Sequence, residues 1–330
     1  MRRREFIALF CSATAVLPFA ARAQQPTAKL PVVTLINARS AGAASVLTAE
    51  FRKGLSQTGF TEGKDVAVEY HWLDGRYENL PAILDDAVRR QVAVIATPAS
   101  TPSSLAAKAA TSAIPVVFGV GEDPVAIGLV ASLAQPGANV TGINFFASEI
   151  DSKRLGLMHE LLPKAKRLAV LINPANTTTA VATSKALDEA APGFGLQLLF
   201  FKASTTAEID SAFAAIIKAQ ADALFISPDG YFASQHLQLA TLAQRGRIPA
   251  SEFASDSVAD GLLMSYGTSI PDVFRQVGVY VGSILKGAKP ADLPVLQATK
   301  FELTINLQAA RSLGIEVPPT FLARADSVVE

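Results

Sequence analysis

Residues 115–146 read PVVFGVGEDPVAIGLVASLAQPGANVTGINFF. An apolar run, IPVVFGV (114–120), ends in Gly-Val-Gly and then Glu122-Asp123-Pro124. The reading continues with a short helix over PVAIGLVASLA (124–134), a Pro-Gly turn and a second apolar run. A β-branched run followed by polar residues and a helical period is one βα unit, with its polar group presented at the carboxyl end of the strand.

The same unit repeats on both sides. Upstream, PVVTLIN (31–37), DVAVEYHW (65–72) and VAVIAT (92–97) read as strands, each followed by a helix: AASVLTAEFRKGLSQTG (43–59), NLPAILDDAVRRQ (79–91) and STPSSLAAKAATSA (100–113). Four βα pairs make one doubly wound lobe. Downstream the pattern restarts with helix EIDSKRLGLMHELLP (149–163). Strands RLAVLIN (167–173), LQLLFF (196–201) and DALFIS (222–227) then alternate with helices over 177–191, 207–220 and 231–246. GLLMSYG (261–267), a helix over 270–287 and a final strand and helix complete the chain. The predicted fold is therefore α/β, with two doubly wound parallel-sheet lobes between which the chain crosses more than once. An internal echo supports the duplication. VTLINARS (33–40) and VLINPANTT (170–178) both run an apolar strand into an Asn-bearing turn, at the sheet edge where open α/β folds bind ligands.

Composition narrows the function. The chain of 330 residues carries 29 basic and 29 acidic side chains and no Lys/Arg run, which argues against nucleic acid as the partner. The first residues, MRRREFIALFCSATAVLPFAARAQQ, combine a basic cap, an apolar run and Ala21-Arg22-Ala23, the pattern of an export signal at 1–23. Arg3-Arg4 also fits the twin-arginine route. The expected location is the periplasm, and the expected mature chain, starting at Gln24, has no cysteine because Cys11 lies in the signal.

Parts for covalent, nucleotide or metal chemistry are missing from the sequence. Pro124 stands where a dinucleotide loop needs its third glycine, and no Gly-x-Ser-x-Gly elbow occurs. His71, His159 and His236 lie in distant elements without metal-ligand spacing. Adjacent Glu122 and Asp123 point apart on a turn, so an acid/base pair is not read there. The expectation is no catalytic residue, no metal and no cofactor.

Binding chemistry is better represented. Thr97, Pro98, Ala99 and Ser100, with Thr101, form a hydroxyl-bearing turn at a helix start that can seat a carboxylate, and Arg39 with Ser40 can do so at the first helix. Glu122 and Asp123 in lobe one, with Asp229, Glu252 and Asp256 in lobe two, can seat an ammonium group. Trp72, Phe145, Phe146, Tyr231 and Tyr266 can wall the space. Together these describe a pocket for a small zwitterion.

The stretch GEDPVAIGLVASLAQPGANVTGINFF resembles a family of ABC importer binding proteins that includes tryptophan- and tyrosine-associated members. Its typical run is Asp-Pro-Val, Gly-Leu-Val, then Pro-Gly-Gly-Asn-Val-Thr-Gly, with Ala138 here in place of the second glycine. LLPKAKRLAVLINPAN, GLLMSYG and INLQAARSLGIEVPPTFLARAD extend the resemblance over nearly all of the expected mature chain.

The resemblance implies a class I periplasmic binding fold. Its crossovers would fall near Ile143–Phe146, Ser265–Thr268 and Val295–Thr299, with lobe one at 30–144 plus 268–297 and lobe two at 145–267 plus 298–330. The ligand would lie between the lobes. Thr97–Ser100, Asp123, Asn144 and Phe145 at the first crossover, Asn173 to Asn176, Asp229 and Asp256 match family positions. Arg39, Glu252 and Phe253 depart from them. The implied function is capture of a small amino acid or related carboxylate, with an apolar or aromatic body, by a monomer that delivers it to ABC permease subunits in the inner membrane. The alternatives are a receptor-docking sensor and an exported hydrolase, the latter lacking a nucleophile or metal set in the sequence.

Overall fold

A computed structural model describes residues 29–330; the export signal read at 1–23 and Cys11 lie outside them. The first part of the chain runs β1 (Val32–Asn37), α1 (Ser45–Gln57), β2 (Ala67–Trp72), α2 (Leu80–Arg89), β3 (Val94–Thr97), α3 (Thr101–Ala110), β4 (Val116–Val120) and β5 (Val140–Asn144). The middle runs α4 (Ala147–Leu161), β6 (Arg167–Ile172), α5 (Thr177–Ala190), β7 (Gln197–Lys202), α6 (Thr206–Lys218), β8 (Ala223–Ile226), α7 (Gly230–Ser234), α8 (His236–Gly246), β9 (Ala250–Glu252), α9 (Asp256–Ala259) and β10 (Met264–Thr268). The last part runs α10 (Ile270–Leu285), β11 (Leu296–Gln297), β12 (Phe301–Asn306), α11 (Leu307–Leu313), α12 (Pro319–Leu322) and β13 (Ser327–Val329).

Continuous apolar runs such as Val116–Val120 are buried along their whole length, as strands covered on both faces must be. Two sheets result. One has the order β11-β5-β4-β3-β1-β2 and the other β13-β12-β10-β9-β8-β6-β7. Read from the inner edge, β2-β1-β3-β4-β5 and β7-β6-β8-β9-β10 are the same doubly wound order, so each lobe has its switch point beside its first strand. The chain passes between sheets three times: from β5 into α4, from β10 into α10, and from β11 into β12. Thr268 Oγ1 donates to the Phe145 carbonyl at 2.8 Å and ties two of these passages together.

Three elements differ from the sequence reading. No helix forms over 124–134. Asp123 Oδ1 accepts from Val125 N at 2.8 Å, Gly128 adopts φ +73°, and the Leu129 and Val130 N–H groups both return to the Pro124 carbonyl. A left-handed glycine four residues after the proline closes a single turn before a helix can propagate. Leu129 and Val130 then fold into the core. The helix expected at 231–246 breaks at Gln235 into α7 and α8. In the second sheet β12 runs antiparallel to β10, and only three residues separate β11, in the first sheet, from β12.

Helix α10 returns to the first lobe and lies directly on α1. A side chain at Gly54 would meet the Arg275 carbonyl, and one at Gly278 the Phe51 carbonyl, so the two backbones touch through paired glycines.

Candidate functional site

The asparagines at the strand ends are structural devices. Asn37 Oδ1 accepts from Arg39 N at 2.9 Å, Asn144 Oδ1 from Phe146 N at 2.9 Å, and Asn173 Oδ1 from Ala175 N at 3.0 Å. Each closes an Asx turn that bends the chain off the sheet. Asn37 Nδ2 also donates to the Pro98 carbonyl, joining the ends of β1 and β3.

These turns aim residues of both lobes at one cavity of about 50 Å³. Lobe one contributes Arg39, Ala99, Thr101, Glu122 and Ile270, and the first passage between the sheets contributes Phe145. Lobe two contributes Asn176, Thr179, Asp229, Glu252, Phe253 and Ala254, with smaller neighbours completing the wall. Among the residues expected from sequence, Arg39, Ala99, Glu122, Phe145, Asn176 and Asp229 therefore share one space.

Glu122 is 4 % exposed and joins the lobes. Its Oε2 accepts from Thr101 Oγ1 at 2.6 Å in lobe one, and its Oε1 accepts from Thr179 Oγ1 in lobe two. Ser40 N donating to Ser234 Oγ at 2.8 Å is a second bridge. Asp229 is held within its own lobe. It accepts from Asn173 Nδ2 at 3.0 Å, Asn176 Nδ2 at 2.9 Å, Tyr231 N at 3.0 Å and Phe232 N at 3.2 Å. Burial pushes its carboxyl above the usual range, opposed by these donors.

Two groups face the cavity with unused capacity. The Arg39 side chain is buried and its one ion-pair partner among the described residues is Asp256 Oδ2, at the long distance of 3.6 Å. Burial lowers the Arg39 pKa, and the carboxylates of Asp256, Glu252 and Asp229 oppose that shift. Asn176 Nδ2 is committed to Asp229, which leaves Asn176 Oδ1 buried without a partner. Glu252, also buried, accepts from Ser257 Oγ through Oε2. Burial raises its carboxyl, while the Ser257 bond and the charges of Arg39 and Arg154 oppose the rise.

The other expected residues lie elsewhere. Thr97 Oγ1 pairs with Ser104 Oγ at 2.9 Å and Ser100 Oγ with Ser103 Oγ at 2.7 Å, so both hydroxyls turn into the first turns of α3. Thr101 is the hydroxyl of this segment that reaches the cavity. Asp123 is exposed and caps its own turn. The Asp256 side chain is 58 % exposed and lies 3.6 Å from Arg39 Nη1. Ser40, Pro98, Asn144 and Asn173 hold backbone. Tyr231 packs beneath Gly75, and Tyr266 lies under Lys153 and against Phe301, away from the cavity.

Thr179 is not among the candidates read from sequence, where Phe253 stands only as a departure from the family pattern. Thr179 carries a recognisable signal, a hydroxyl just inside the helix that follows the Asn173 turn. Phe253 follows β9, whose three residues leave no periodic trace.

Residues 34–329 match the family described as ABC transporter substrate binding protein, and the chain belongs to that family. It is 27 % identical over 266 residues to a tyrosine-binding protein of Clostridioides difficile, covering 81 % of this chain and 76 % of that protein. A solved ABC domain in complex with L-Trp from Streptococcus pneumonia is 24 % identical with a TM-score of 0.81, covering 91 % of this chain and all of that one. The ligand-free, open structure of a substrate binding protein with adhesive properties from Clostridium difficile is 25 % identical with a TM-score of 0.62, covering 91 % and 99 %. The lobes thus have the class I periplasmic binding-protein fold.

Proposed function

We propose that this chain captures a small zwitterion, an amino acid or a related small carboxylate with an apolar body, between its lobes in the periplasm and delivers it to ABC permease subunits in the inner membrane. The observation that carries the reading is the two-lobe cavity lined by buried Arg39, whose one ion pair is a long contact to Asp256, and by Asn176, whose Oδ1 is buried without a partner. Arg39 takes the ligand carboxylate. Asn176 Oδ1 and Glu252 take the ammonium, so each lobe supplies one charged seat. Relatives that bind tyrosine and L-Trp support an amino acid.

Closure follows from the hydrogen bonds. Glu122 gains its Thr179 donor only when the lobes meet, and a ligand bridging Arg39 to Glu252 adds contacts available only in that arrangement. The similar identity but higher TM-score to the ligand-bound structure than to the open one supports a closed arrangement here. In this reading residues 30–144 with 268–297 move against 145–267 with 298–330, the chain acts as a monomer, and export removes residues 1–23.

Thermal melts of the exported protein with the common L-amino acids and their des-amino analogues test the reading. At least one amino acid should raise Tm and titrate to one site by calorimetry, with its des-amino analogue much weaker. A panel with no shift overturns the assignment.

A further inference from the structure

Phe253 stands between two pockets. On one side lies the cavity with Arg39, Glu122 and Asn176. On the other is a second, partly open space of about 90 Å³, lined by Ser265, Gly267, Thr268 and the exposed Ser255 and Asp256. Phe253, Ala254 and Ile270 line both spaces and form the wall between them.

The ring is firmly held. Phe253 is 5 % exposed and packs on Phe145 with ring centroids 5.7 Å apart. It lies so close over Gly267 that a Cβ there would come within 3.0 Å of the ring and collide with the Phe253 carbonyl. The glycine makes room for the phenyl group.

The sizes then matter. A cavity that admits benzene holds about 150 Å³. The space beside Arg39 is about 50 Å³, far short of that, and the chamber behind Phe253 supplies most of the missing room. With this ring in place, the space facing the charged seats fits the head of an amino acid and a very short side chain.

We infer that Phe253 is a specificity-determining residue that occupies the place of a larger ligand side chain and restricts this protein to small zwitterions. The inference rests on the zwitterion reading above. A benzene-sized side chain would enter the second chamber only if Phe253 were removed or swung aside, and Phe145 and Gly267 hold it in place.

The test is calorimetric titration of wild type, Phe253→Ala and Phe253→Leu with two probes, L-alanine and L-tyrosine, alongside circular dichroism and thermal melts to establish folding. Wild type should bind L-alanine at least about tenfold more tightly than L-tyrosine. Phe253→Ala should gain at least about tenfold for L-tyrosine while keeping L-alanine within about fivefold. Phe253→Leu, which retains more of the packing on Phe145, should gain less and carries the test if the alanine variant does not fold. Wild type binding L-tyrosine as tightly as L-alanine overturns the inference, as does unchanged L-tyrosine affinity in the folded variants. Failure of all three proteins to bind either probe overturns the zwitterion reading itself, and the restriction falls with it.

Discussion

Glu122 and Asp229 occupy related places in the two lobes, each a few residues past the carboxyl end of a strand and each in the wall of the same cavity. Their partners differ. Asp229 takes four hydrogen bonds, all from lobe two, two from asparagine amides and two from the start of α7. Glu122 takes one from each lobe. If the lobes close on a ligand as proposed, the acid of lobe two is built before they meet, whereas that of lobe one is completed by their meeting. In that proposal Asp229 belongs to a fixed wall that orients ligand on first encounter, and Glu122 to a conditional wall whose bond rewards closure.

The largest expected effect tests the fixed side. Asp229→Ala leaves two amide groups and two backbone N–H groups without their acceptor and should cost about 3 kcal/mol of stability in chemical denaturation, with or without ligand. A variant as stable as wild type would remove the distinction between the walls.

A second measurement sharpens the account of lobe two. Buried Asp151 accepts from Thr183 Oγ1 at 2.7 Å and from Arg154 at 3.2 Å, joining α4 to α5 behind the cavity. Burial pushes its carboxyl up to about 6, against the attraction of Arg154 and the Thr183 bond. The unfolded chain releases this proton at lower pH than the folded one does. The contribution to stability is thus fully present below about pH 4 and is lost as pH rises through about 6. Stability should fall by about 3 kcal/mol across that window from this group, and Asp151→Asn should flatten the slope. An unaltered slope in the variant would assign the dependence to other carboxyls.

The conditional side should respond more mildly. Thr179→Val removes the inter-lobe donor to Glu122 and should weaken ligand by about tenfold, roughly 1.4 kcal/mol, while leaving the ligand-free melt nearly unchanged. If it lowers the ligand-free melt as far as Asp229→Ala does, Glu122 belongs to the fixed wall after all. The smallest effect is expected one residue away. Asp123→Ala should change ligand affinity by less than about twofold, because its carboxylate faces solvent and serves its own turn.

Most of the fold was legible in the sequence because its signals are strong. Runs such as VVFGV are buried throughout, and the helices between them carry apolar faces. The failures came where a local rule overrode the pattern. Residues 124–134 are apolar enough for a helix, but Pro124 and Gly128 close them into one turn. At the candidate site, Arg39, Glu122 and Asp229 were legible because strand ends of an open sheet are few and the charged residues there are fewer. Thr97 and Ser100 were placed correctly along the chain, but their side-chain directions were not legible. Ser103 and Ser104 offer hydroxyl partners within the same helical turns, and short-range pairing turned them from the cavity. Phe253 was noticed as a departure from its relatives, yet its role as a wall depends on Gly267, far along the chain and visible beside it only after folding.

The contact of α1 with α10 has a consequence in time. More than two hundred residues separate the end of α1 at Gln57 from the start of α10 at Ile270. At a synthesis rate of about 5–20 residues per second, α1 waits on the order of ten seconds or more for the helix that covers it. Throughout that interval Phe51, Leu55 and the bare backbone at Gly54 have no cover from α10. The nascent first lobe must therefore be shielded, or held unfolded, until the second lobe has been made.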